Sequence, residues 1–174
     1  MAFTLPATWQ SQLVTVAQFN QQIRDNMNAL KDPPGAVSYI SANYTGASAA
    51  TFANVDPNDV DGVFRHTLTL YGTFCSVRFA GTMHYGNANA NGALNISVNG
   101  NDYFPFNSGF QRWNMNAVAA GGGVYMPLSF DVLLTGLTAG ANTVRLRWAV
   151  SHTATRLVGS GDAGAMVFAV KELP

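Results

Sequence analysis

The sequence predicts an all-β protein, an antiparallel jelly-roll-like β-sandwich preceded by one N-terminal α-helix. Three observations carry this. From Gly35 onward, apolar and polar residues alternate with a period of two, the spacing of a strand with one buried face. The alternating runs are separated by clusters of Gly, Asn and Asp, which favour turns. Outside residues 15–31 no stretch has helical spacing, so nothing can carry a parallel crossover and the sheets are antiparallel. Residues 1–35 therefore read as an N-terminal arm and helix, and residues 36–174 as a β-sandwich head.

The helix begins at Thr15-Val16-Ala17-Gln18. This is a capping box, in which the Thr hydroxyl accepts from the Gln backbone and the Gln amide reaches back. It ends at Asp32-Pro33-Pro34-Gly35, because neither proline can donate to the ladder and Pro33 disfavours helix at Asp32. Its apolar positions, Val16, Phe19, Ile23, then Asn26 or Met27, then Leu30, step by three and four. That is a narrow heptad-like seam, not a broad core-facing stripe. A lone helix of this length is marginal in water, so the seam needs a partner. Two partners stand open: the sandwich of the same chain, or other copies around a symmetry axis.

Strand-like runs occupy 37–44, 64–71, 74–85, 94–98, 103–106, 124–134, 144–150 and 166–171. Val144, Leu146, Trp148 and Val150 alternate with Arg145, Arg147 and Ala149, and Leu94, Ile96 and Val98 repeat the pattern. Such half-buried strands belong to two antiparallel sheets packed face to face. Asp56-Pro57-Asn58-Asp59, residues 86–92, Asn99-Gly100-Asn101 and Thr138-Ala139-Gly140 are the turns between them.

The composition excludes several classes of function. Nine Lys and Arg balance nine Asp and Glu in 174 residues, so the charge attraction behind nucleic-acid and anionic-membrane binding is missing. Residues 117–128, an apolar stretch, are broken by Gly121, Gly122 and Gly123, and no membrane insertion is expected. Cys75 is the only cysteine, which leaves no internal disulfide. The start Met1-Ala2-Phe3-Thr4 lacks the basic and apolar segments of a secretory signal. With two Lys and one Glu, the surface is poorly equipped to stay wet as a free monomer. Coverage by partners, as in a homo-oligomer within a larger assembly, answers that shortage.

Motifs for chemistry are weak. Gly159-Ser160-Gly161-Asp162-Ala163-Gly164 has the letters of a dinucleotide fingerprint but neither the following helix nor the distant acid that such a site needs, so it reads as a loop. Asp56, Asn58, Asp59 and Asp61 gather oxygen, yet Val60 occupies a ligand position of a calcium loop and no Glu closes it; an Asx turn is the expectation. His66, His84 and His152 lack paired-ligand spacing, and Cys75 sits in an alternating strand as a buried thiol. No Gly-x-Ser-x-Gly elbow or carboxylate pair is present. No catalytic residue, cofactor or metal is expected. The segment 103–113 concentrates aromatics with Asn, Gln and Arg, which suits either a packed interior or stacking on sugars.

Trp9, Leu13-Val14-Thr15-Val16-Ala17-Gln18-Phe19-Asn20 and Arg24-Asp25-Asn26-Met27-Asn28-Ala29-Leu30-Lys31-Asp32 together resemble the opening segment of tailed-bacteriophage and prophage structural proteins. The stretch from Gly136 to Trp148, with its Leu137, Gly140, Thr143 and Trp148, is similar to the last hairpin of β-sandwich heads on phage fibres and tail proteins. The resemblance implies a virion structural protein made in the host cytoplasm, fibre or tail-associated, with an attachment helix ahead of a head domain. A homotrimer joined at Val16, Phe19, Ile23, Asn26, Met27 and Leu30 is then expected, contacting other virion proteins through the N-terminal arm. Host-surface glycan would meet the far turns, for which Asn87, Asn89, Asn91, Arg112 and Trp113 are the candidates. Two alternatives stand beside it: a capsid decoration protein without a receptor role, and a soluble carbohydrate-binding module.

Overall fold

The computed structural model describes residues 15–31, 33–46, 51–86, 90–104, 111–115, 123–153 and 155–173. Helix α1 spans Val16–Lys31. Behind it come β1 (Gly35–Ile40), β2 (Tyr44–Thr45), β3 (Ala53–Asn54), β4 (Arg65–Leu70), β5 (Cys75–Tyr85) and β6 (Ala90–Val98). The chain continues through β7 (Asn101–Asp102), β8 (Gln111–Met115), β9 (Val124–Leu134), β10 (Gly140–Val150), β11 (Thr155–Val158) and β12 (Met166–Glu172). A short 3-10 turn, Gly161–Ala163, bridges the last two strands, so residues 159–164 form the loop that the sequence implies.

The strands make two antiparallel sheets, and several short ones share a lane. In sheet 1, β5 runs beside β9 on one side and beside β12 and then β11 on the other. Outside these, β1 pairs with β12 and β2 with β11. In sheet 2, β10 runs beside β4 and β3 on one side and β6 on the other, and β6 carries β7 and β8 on its free edge. Each sheet thus has four lanes: β1/β2, β11/β12, β5, β9 in one, and β3/β4, β10, β6, β7/β8 in the other. Followed along the chain, the lanes fall in sheets 1, 2, 1, 2, 2, 1, 2, 1. That alternation is the double Greek key of a jelly roll.

Inward residues alternate as the pleat requires. Val144, Leu146, Trp148 and Val150 are buried on β10, facing Val77, Phe79, Met166 and Phe168 of sheet 1 in one continuous core. The hairpin between β6 and β7 turns on Asn99 (φ 52°) and Gly100 (φ 88°), the left-handed pair that a two-residue hairpin needs.

Three expectations are revised. Tyr103 and Phe104 form a bend, not a strand. Phe104 is held from the side by Asn95, whose amide donates to the Phe104 carbonyl at 3.0 Å and accepts its N–H at 3.3 Å. Asn95 and Ser97, outward by alternation, are nevertheless buried. Strands β8 and β11 lie in stretches whose pattern is too short to betray them.

The two ends of the sandwich differ. Pro34 accepts the Glu172 N–H at 2.8 Å, which places the helix connection at the end carrying turns 71–74, 99–100 and 135–139. Glu172 is buried there, and its Oε1 accepts from the N–H groups of Tyr71 and Gly72, tying β12 to the β4–β5 turn. The opposite, distal end carries Gly46, Gly86 and residues 151–153, where Ser151 exchanges hydrogen bonds with Asn91.

Candidate functional site

The capping box forms as its residues dictate: Gln18 N–H donates to Thr15 Oγ1 at 3.3 Å and Thr15 N–H to Gln18 Oε1 at 3.1 Å. The seam that follows is left open. Val16 is 76%, Phe19 50%, Ile23 43% and Met27 64% exposed. Helix α1 therefore leaves this seam open and does not bury it on its own sandwich. Asn26 is half-buried and its Oδ1 has no hydrogen-bond partner. The side chain of Leu30 lies outside the described residues.

Further apolar side chains stand open on both edges of sheet 1. Val37, Tyr39, Tyr125 and Leu133 are exposed on the outer side of sheet 1, whose inward positions are filled by Ile40, Phe79, Leu128 and Leu134. The sequence signal is Val37-Ser38-Tyr39-Ile40, in which the outward positions are as apolar as an inward set would be.

Of the candidate receptor contacts, Asn91 is exposed, and it lies in the paired start of β6 and not in a turn spanning 86–92, because β8 and Ser151 take up its backbone there. Asn87 and Asn89 lie outside the described residues, as do the side chains of Arg112 and Trp113 and residues 105–110. The backbone register sets Trp113 opposite Gly92, Arg112 opposite Ala93 and Asn114 opposite Asn91. The distal half of the β6–β8 edge thus brings Asn91, Arg112 and Trp113 near one another in the backbone, with Arg112 and Trp113 at successive positions that alternate between the two faces of the sheet.

The Asp-rich turn is filled by protein groups. Asn58 N–H donates to Asp56 Oδ1 at 3.0 Å and Val60 N–H to Oδ2 at 2.9 Å, an Asx turn. Asp59 holds Arg145 at 2.8 Å and Arg65 at 3.0 Å. Burial alone would raise the Asp59 carboxyl, but the bonds and charges of Arg145 and Arg65 outweigh it and leave the pKa below the usual carboxylate value. Two guanidinium groups stand where a cation would sit. Among the described residues no cluster of three or more His, Cys, Asp or Glu could hold a metal.

Of the three histidines, His66 is buried and His84 and His152 are half-buried. His66 is buried, stacked on Phe168 at 5.4 Å, and its Nε2 lies 3.1 Å from Ser38 Oγ and 3.3 Å from the Phe168 carbonyl. A carbonyl can only accept, and the Ser38 hydroxyl donates to Gly62 O, so the network assigns the proton to Nε2. Ser38 thus gives its proton to a backbone carbonyl and not to the imidazole. The pair has the residues of a nucleophile and base but the opposite polarity. Cys75 is fully buried, and burial together with the Glu172 charge pushes its thiol up to about 11.

His66 has a consequence for stability. Burial pushes its pKa below the ordinary 6.5, and the Phe168 hydrogen bond and the Asp61 charge only partly offset this. Between the folded and unfolded values the unfolded chain binds a proton that the folded chain refuses. Stability is therefore expected to be level above about pH 6.5 and to decline as pH falls below it. Urea midpoints measured from pH 7.5 to 5 should show this decline in the native chain and a shallower one in His66→Gln. Equal slopes in both would remove His66 from the account.

No family model and no curated protein sequence matches the chain. Among solved structures it is similar to a pentameric capsid protein isolated from metagenomic phage sequences, at 10% identity and a TM-score of 0.30, over 96% of this chain and 84% of that one. A likeness of this degree carries no argument about function. Among the described residues no helix is long and apolar enough to cross a membrane.

Proposed function

We propose that the chain is a bacteriophage virion structural protein, a homotrimer in which α1 joins the copies and the jelly roll is presented outward for assembly and host-surface attachment. The observation that carries it is the open seam of α1. A helix with Phe19, Ile23 and Met27 in solvent, attached to a sandwich that has a closed core of its own, is built to be covered by another chain. The resemblance of residues 9–32 to the opening segment of phage structural proteins supports the virion setting. The jelly roll itself supports it only by analogy, since viral capsid and lectin domains both use that fold.

Attachment is assigned to the distal end because the helix leaves from the other one. Exposed amides such as Asn91 donate and accept, which suits sugar hydroxyls and carries no ionic desolvation cost. Three copies on one axis multiply weak contacts into useful avidity. The role is structural, without cofactor or catalytic residue; the reversed polarity of Ser38 and His66 favours this.

Light scattering on the purified chain should give three chain masses. The double variant Arg112→Ala, Trp113→Ala should keep that mass and its β-sheet circular dichroism, and should no longer block adsorption of the particle to host cells. If it blocks adsorption as well as the native chain does, the decoration reading replaces attachment. A native chain that is monomeric at micromolar concentration removes the trimer.

A further inference from the structure

We infer that Thr45, Arg156, His84 and Tyr125 form a binding row for a carboxylate-bearing oligosaccharide across the distal end of sheet 1. The register sets Thr45 opposite Arg156, Arg156 opposite His84, and His84 opposite Tyr125. All four therefore project from the same outer face, while their neighbours Tyr44, Leu157, Met83 and Met126 turn inward to the core. Strands lie about 4.8 Å apart, so the row is long enough for a short sugar chain to lie along it.

Each position supplies a different part of the recognition. Arg156 is the charge. Arg65 and Arg145 share Asp59, and Arg147 pairs with Asp102. Arg156, like Arg78 lower on the same face, has no carboxylate partner among the described residues, and Arg156 is the one beside His84. A half-buried guanidinium left unpaired is costly in the free chain, and that cost is recovered when an external carboxylate takes its planar fork.

His84 sets the floor of the row. Its ring meets Tyr125 at 4.7 Å, tilted by 58°. Gly123 lies against the ring's Nε2 so closely that a side chain at 123 would force the imidazole to move. Burial, and then the charge of Arg156, lower its pKa, so the ring stays neutral beside the guanidinium and its Nδ1 also lacks a partner. Tyr125 is 57% exposed. It offers an aromatic face with a polar tip, the usual platform for a sugar ring. Thr45 is exposed at the far end and adds a hydroxyl.

A negatively charged sugar is the ligand that uses all of these groups together. A neutral one would leave Arg156 unpaired, and a small anion would leave Tyr125 idle. The inference rests on the attachment reading for where the sugar comes from, and on the row itself for its chemistry.

The test is calorimetric titration of the whole chain with an oligogalacturonate and with maltoheptaose. The acidic oligomer should bind and the neutral one should not. Arg156→Gln should weaken binding at least tenfold, Tyr125→Ala severalfold, and Tyr125→Phe little, with melting temperature and oligomeric mass unchanged in each. No binding by the native chain, equal binding of both sugars, or native affinity in both Arg156→Gln and Tyr125→Ala overturns the site. A change of oligomeric mass in Arg156→Gln also overturns it, because the guanidinium would then belong to a contact between copies. Adsorption separates this from the attachment reading. A native chain that blocks adsorption but ignores oligogalacturonate overturns the row alone, whereas Arg156-dependent binding without any effect on adsorption supports the row and overturns attachment.

Discussion

Ile23→Asp is expected to convert the assembled protein into monomers while leaving the sandwich folded. Ile23 lies in the middle of the seam that runs through Val16, Phe19, Asn26 and Leu30, and in the single chain it is 43% exposed. A carboxylate there is partly hydrated in the monomer and costs the fold little. Enclosed between helices it would be unpaired, at a cost on the order of 4 kcal/mol per chain, which is roughly a thousandfold for each chain and compounds over the copies in the assembly. Gln21→Asp, on the exposed side of α1 away from the seam, is the control and should assemble normally. Light scattering reads the mass and far-ultraviolet circular dichroism reads the sheet. Loss of the β-sheet signal in Ile23→Asp would mean that the helix belongs to the sandwich core after all, and the assembly role would fall with it.

Phe168→Ala should be among the most damaging single changes in the sandwich. The ring is fully buried on β12, stacked on His66 and 6.2 Å from Phe64 across the interface between the sheets. Removing it loses the transfer free energy of the ring and leaves a cavity bounded by strands that cannot collapse, at about 3–5 kcal/mol. For a chain of this size that corresponds to a fall of roughly 6–20 °C in melting temperature. Val167→Ala, one residue away on the outer face, should cost little by comparison. If calorimetry finds the two variants equally stable, β12 is not the inner strand that its pairing with both β1 and β5 makes it.

Where local chemistry decides, the sequence was enough. The start of α1 depends on Thr15 and Gln18, three residues apart, and its end on Pro33 and Pro34. The long strands depend on alternation that any window of Cys75–Tyr85 or Gly140–Val150 displays, and the β6–β7 turn depends on Asn99 and Gly100 accepting positive φ. Each of these is set by neighbours within a few residues, and so is legible from the chain alone. With eight such runs and no second helix, the class of fold follows as well.

Long-range pairing was decided elsewhere. Thr155–Val158 is four residues long and is a strand because Tyr85 and Thr45 flank it. Asn95 is buried because Phe104 returns over it. The seam of α1 has the same spacing whether it packs on its own sandwich or on another chain, since periodicity states which residues want cover and not what covers them. The row of Thr45, Arg156, His84 and Tyr125 gathers residues more than a hundred positions apart through three antiparallel registers. A one-residue slip in any of those registers would turn one of the four side chains into the core. Local composition determined the helix and the long strands of this protein, and only the tertiary pairing decided the short strands and which outward faces meet, because register couples segments that no local window contains.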